Sequence, residues 1–139
     1  VPDPFQLSGA AVDLAPRVFF DKTVDASPAA GAETVIATLS MPDDLAVGEG
    51  VLLFAWFTLT VGTDGVSLLY RIRRDSVAGT AIAASGAETA TAAQLVSRSI
   101  VGFDTAPTFP NEVYVLTLTV GSASAASTVS AVGFCGIVV

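Results

Sequence analysis

The pattern of this chain repeats at every second residue, and that period decides what it can fold into. Val66, Leu68, Tyr70 and Ile72 alternate with Ser67, Leu69, Arg71 and Arg73. Tyr114, Leu116, Leu118 and Val120 alternate with Val115, Thr117 and Thr119, and Val35, Ala37, Leu39 and Met41 with Thr34, Ile36, Thr38 and Ser40. A strand sends successive side chains to opposite faces, whereas a helix needs a period near 3.6. The runs are filled with Val, Thr, Ile and Phe, which suit a pleated surface. Turn residues separate them: Pro42-Asp43-Asp44, Gly48 to Gly50, Asp64-Gly65, Pro107, Pro110-Asn111 and Gly121-Ser122. Strands are expected near 6–13, 17–20, 33–41, 51–62, 66–74, 79–84, 88–101, 112–121 and 127–138. Within 88–101 the strand character begins at Leu95. Such a series implies an all-β fold, an antiparallel β-sandwich.

Asp64-Gly65 lies between two of these runs, and both residues tolerate positive φ. The expectation is a tight hairpin that pairs the strand near 51–62 with the strand near 66–74. At 139 residues the chain suits one domain with a core of its own. Pro2, Pro4 and Pro16 mark residues 1–25 as an extended N-terminal arm, which leaves 26–139 as the β-sandwich domain. Phe5 and Leu7 are the candidate anchors of that arm on a neighbouring subunit. Cys135, in the run Val132 to Ile137, reads as a small buried hydrophobe. As the sole cysteine it cannot form an intrachain disulfide.

Val51-Leu52-Leu53-Phe54-Ala55-Trp56-Phe57 departs from simple alternation. Val51, Leu53, Ala55 and Phe57 face one side; Leu52, Phe54 and Trp56 face the other. A sandwich strand normally has one wet face, and this one is apolar on both. Only 14% of the residues are charged and 52% are hydrophobic, and after Glu112 no charged residue occurs. So few charges leave surface to be covered by other copies of the chain. Leu52, Phe54 and Trp56 are therefore candidate subunit-interface residues. Arg71 and Arg73 share a face of their strand. They are either solvated and paired with carboxylates, or candidates for contact with an acidic neighbour.

Catalytic signals are sparse. The chain has no histidine, which removes Ser-His-Asp and Cys-His arrangements and most zinc sites. No P-loop or dinucleotide fingerprint occurs, and Asp43-Asp44 is too sparse for a calcium loop. No enzyme activity, cofactor or metal is expected. The net charge is −7, and the basic trio Arg71, Arg73 and Arg74 is the only cationic cluster. Nucleic acid and anionic membrane are thus not expected partners.

The run Gly65 to Arg74 with Gly79-Thr80, the strand Val113 to Val120 and the segment Ala125 to Val132 resemble small, jelly-roll-like β-sandwich virion proteins of tailed bacteriophages. Head decoration proteins and trimeric fibre or knob domains are of this kind. The resemblance spans roughly residues 50–139 and lies in texture rather than in a signature motif. It implies a homotrimer without enzymatic activity, bound to a major capsid protein or another virion protein at the capsid surface. The alternatives are a tail-fibre or receptor-binding knob, and a secreted filament or surface-layer subunit that uses strand complementation.

Overall fold

The computed structural model describes residues 17–20, 22–23, 28–62, 66–91, 94–109, 111–121 and 127–139. Ten strands account for the regular structure among them: β1 (Val18–Phe19), β2 (Lys22–Thr23), β3 (Glu33–Ser40), β4 (Val51–Thr60), β5 (Val66–Arg74), β6 (Ala81–Ala84), β7 (Glu88–Ala90), β8 (Leu95–Asp104), β9 (Val113–Val120) and β10 (Thr128–Val138). They form two sheets. Sheet A has the order β1-β10-β4-β8; sheet B has the order β2-β3-β9-β5-β6, with β7 also paired to β5. All strand pairs are antiparallel. The chain changes sheet between β1 and β2, β3 and β4, β4 and β5, β7 and β8, β8 and β9, and β9 and β10. The result is a jelly-roll-like antiparallel sandwich, as the alternation requires.

The core is the inner phase of each long strand. Val51, Leu53, Ala55, Phe57 and Leu59 of β4 meet Val66, Leu68, Tyr70 and Ile72 of β5 and Tyr114, Leu116, Leu118 and Val120 of β9. Phe57 and Tyr70 pack edge to face, with centroids 5.2 Å apart, a geometry favoured by the ring quadrupoles. Gly136 on β10 leaves space for the ring of Phe19 from β1, since a Cβ there would overlap that ring.

Four expectations are corrected. First, β4 and β5 do not form a hairpin, because they lie in different sheets. Both edges of β4 are taken by β10 and β8, so the link between β4 and β5 crosses the sandwich; Asp64-Gly65 itself lies outside the described residues. Second, Ile36 does not alternate outward. The β3–β9 register slips between Val35 and Ala37, and that bulge turns both Ile36 and Ala37 into the core. Third, the strand expected near 17–20 is present as β1, which edges sheet A, but a further short strand, β2 at Lys22–Thr23, was not expected and edges sheet B. The core position over Gly136 accounts for Phe19. Fourth, β8 of sheet A begins at Leu95 as expected, but the stretch ahead of it is not all loop: Glu88–Ala90 form β7, which pairs with β5 in sheet B.

Candidate functional site

The outer face of sheet A is assembled from the odd phase of β8 and β10 and the even phase of β4. Pairing across the sheet sets its rows. Val18, Ile137, Leu52 and Phe103 form one row. Cys135, Phe54 and Val101 form the next, followed by Gly133, Trp56 and Ser99, and then Ala131, Thr58 and Ser97. None of these outward side chains carries a charge. Trp56 lies over Gly133, where a Cβ would overlap the indole. Half of that ring system stays exposed (49%), as do Phe103 (49%), Val101 (56%) and Leu95 (66%). Isolated exposed apolar residues are ordinary, but a contiguous aromatic and aliphatic patch on one sheet face is not. Toward the other end the face becomes polar, and Thr58 Oγ1 and Ser130 Oγ share a hydrogen bond of 2.7 Å.

The expected trio Leu52, Phe54 and Trp56 is therefore brought together on this face. Phe103, Val101, Leu95, Ile137 and Val18 belong to it as well, and sequence reasoning missed them. The signal was present in β8. Both phases of that strand are mixed: Leu95, Val101 and Phe103 point out with Ser97 and Ser99, while Arg98 and Asp104 lie on the core-side phase with Val96, Ile100 and Gly102. Each inward charge is neutralised inside the chain. Arg98 Nε donates to Glu88 of β7 at 2.8 and 3.0 Å. Asp104, 1% exposed, accepts hydrogen bonds from Arg74 Nε at 2.8 Å, Arg74 Nη2, the Tyr114 hydroxyl at 2.9 Å and the Ala106 amide at 3.0 Å. Burial pushes the Asp104 carboxyl up, but these donors outweigh it and hold it below its ordinary value. The Tyr114 hydroxyl is pushed far up by its burial and by the hydrogen bond it gives Asp104. This cluster clasps β8 of sheet A to β5 and β9 of sheet B.

Arg71 and Arg73 lie on the outer face of sheet B, away from the apolar patch. Arg73 forks onto Glu33 of β3, with Nε to Oε1 at 2.7 Å and Nη2 to Oε2 at 3.1 Å. Arg71 stands 3.4 Å from the same carboxylate, and the Thr117 hydroxyl donates to it at 2.6 Å. Burial raises the Glu33 carboxyl, and Arg73, Thr117 and Arg71 bring it below its usual range. The acidic partner that both arginines take is thus a residue of their own chain. These side chains roof over Thr117, which is fully buried on the outer phase of β9.

Cys135 does not sit in the core. It is half-buried on the outer face of sheet A, opposite Phe54, and its thiol is pushed up by burial. The β10–β4 register shifts between Val129 and Ala131, after which Val132, Phe134 and Val138 take the inner phase. Phe5 and Leu7 lie outside the described residues.

No family model and no curated protein sequence matches the chain. Among solved structures, one titled "CBM4 structure and function", a carbohydrate-binding module, overlaps 76% of this chain and 77% of its own length. Its TM-score is 0.41 at 16% identity. Among the described residues no pocket opens and no group of three metal-ligating side chains converges. The chemistry the described surface offers is that of an uncharged apolar face on an acidic domain.

Proposed function

We propose that this protein is a non-enzymatic structural subunit of a phage virion, which decorates and stabilises the outside of the capsid as a homotrimer. The observation that carries the reading is strand β8. It keeps its charges on the core side, each paired within the chain, and sends Val101 and Phe103 outward beside Phe54 and Leu52, next to Trp56. Side chains arranged this way gain free energy only when another protein surface covers them, at roughly 25 cal/mol per Å² of apolar area buried. The net charge of −7 favours the outer side of a shell, since packed nucleic acid inside would repel an acidic chain. It also keeps free subunits soluble before assembly. Three linked copies would add their separate shell contacts through effective concentration.

The test mixes purified protein with undecorated shells assembled from the major capsid protein encoded in the same genome. Co-sedimentation and the shell disruption temperature are read with and without added protein. Binding together with a raised disruption temperature is expected. Deleting residues 1–14, with Phe5 and Leu7, is expected to weaken the binding. Shells that neither bind the protein nor gain heat resistance would sink the decoration reading.

A further inference from the structure

We infer that the free edge of β8 is an acceptor site for residues 5–13 of a neighbouring copy, which add to sheet A as an antiparallel strand. The inference goes beyond shell decoration, because it places the contact of the N-terminal segment on this protein itself.

A strand that ends a sheet presents a row of unpaired N–H and C=O groups, and folded chains blunt such edges by shortness, bulges, proline or charge. The other edges of this sandwich are blunted. β1 and β2 have two residues each, and β10 and β3, which they flank, are each broken by a register shift. β6 has four residues and a register shift against β5, and β7 has three residues. β8 has none of these devices. It is ten residues long, holds an unbroken register with β4, and contains no proline. Its charges, on Arg98 and Asp104, are bound within the chain. It ends sheet A, and among the described residues no strand pairs with it on the side away from β4. Such an edge binds an extended segment through main-chain hydrogen bonds, with alternate side chains giving the specificity.

The sequence ahead of β1 contains a segment that fits. Pro4 and Pro16 bracket eleven residues without proline, enough to line the ten of β8. Set antiparallel, with Phe5 opposite Phe103, the segment places Leu7 opposite Val101 and so extends the apolar end of the face. Gly9 and Ala11 then fall opposite Ser99 and Ser97. Asp13, the single charge of the segment, falls at the Leu95 end of the strand. A parallel setting would instead put Asp13 against Phe103.

Distance makes the donor another copy. β1 lies at the opposite edge of sheet A, with Val18 in the row of Phe103. Asp13 at the Leu95 end is about 27 Å from that row along the strands, and the added strand is about 19 Å from β1 across the sheet, or about 33 Å in all. The five residue steps from Asp13 to Val18 span at most about 18 Å. A chain cannot set this segment on its own β8 in this register, but it can set it on the β8 of a neighbour.

The experiment mixes two full-length proteins at micromolar concentration, both carrying Cys135→Ser so that the native thiol is absent. One adds Leu7→Cys; the other adds Val101→Cys, at an exposed position. Circular dichroism and thermal melting verify the fold of each. Mild oxidation is expected to give a disulfide-linked dimer of about twice the 14.0 kDa chain mass. A Ser97→Cys partner, four residues along β8, is expected to crosslink at least about 10-fold more slowly, because its Cα would lie about 14 Å from that of residue 7, beyond the reach of a disulfide. No crosslink, or equal rates at 101 and 97, overturns the inference. Leu7→Cys and Val101→Cys placed in one chain provide a further check: a disulfide closed within single chains overturns the exchange between copies. Shell binding is a separate assay, so crosslinking by a protein that ignores shells removes the decoration reading and leaves this inference standing.

Discussion

Arg73 and Arg74 are adjacent on β5, yet deleting their side chains should have unequal consequences. Arg74 serves Asp104, whose side chain is fully buried, while the guanidinium keeps a quarter of its surface in solvent. Arg74→Ala leaves that carboxylate with the Tyr114 hydroxyl and the Ala106 amide but without the cation. Losing one partner of a buried pair costs about 3–5 kcal/mol. Solvent screening of the exposed guanidinium places this pair at the lower end, about 3 kcal/mol. Arg73→Ala leaves Glu33 partly exposed, with Thr117 donating to it and Arg71 nearby. An ion pair at that depth is worth about 1 kcal/mol or less. In a domain of this length, about 3 kcal/mol lowers Tm by roughly 10 °C.

The assay is urea unfolding and thermal melting at one fixed protein concentration, because assembly shifts apparent stability by mass action. The pH dependence supplies a second check. The folded-state pKa of Asp104 is depressed below 3.8. Its contribution is thus fully present above that value and is lost as the pH falls through the folded one. Wild-type stability should fall progressively below about pH 4, and Arg74→Ala should lose less over the same interval. Equal costs for the two arginines, or an identical acid loss in wild type and Arg74→Ala, would refute the reasoning.

Three further outcomes are expected from the packing. Phe57→Ala removes a fully buried ring that packs against Tyr70 and should cost about 3–5 kcal/mol in urea unfolding. Gly133→Val should lift the Trp56 indole off β10, which shifts its fluorescence emission to the red while leaving core stability within about 1 kcal/mol, since the site is on the outer face. Glu33→Gln removes the charge that Arg71 and Arg73 share and should flatten the acid limb of the stability profile, because the Glu33 carboxyl is also held below its ordinary value in the fold.

Alternation is a local property of the chain, and the features that depend on it alone are legible in the sequence. The inner phases of β4, β5 and β9, the start of β8 at Leu95 and the two-sided apolar character of Leu52, Phe54 and Trp56 are all set by which residues stand two apart. Partner choice is not local. Asp64-Gly65 has the composition of a hairpin turn, but the hydrogen bonds of β4 are satisfied by β10 and β8, more than 30 residues away in sequence. A bulge resets the phase of its strand with little mark in composition, which is why Ile36 turns inward. A second register shift precedes Cys135 on β10, a residue whose apolar neighbours suggest burial. The partner of Arg73 is 40 residues away, and only the pairing of β3 with β9 and β9 with β5 brings Glu33 to it. The apolar face is visible in the sequence one strand at a time. Its extent depends on β8 lying beside β4 with its charges turned inward, because a continuous surface is made by non-local strand pairing and not by any one segment of sequence.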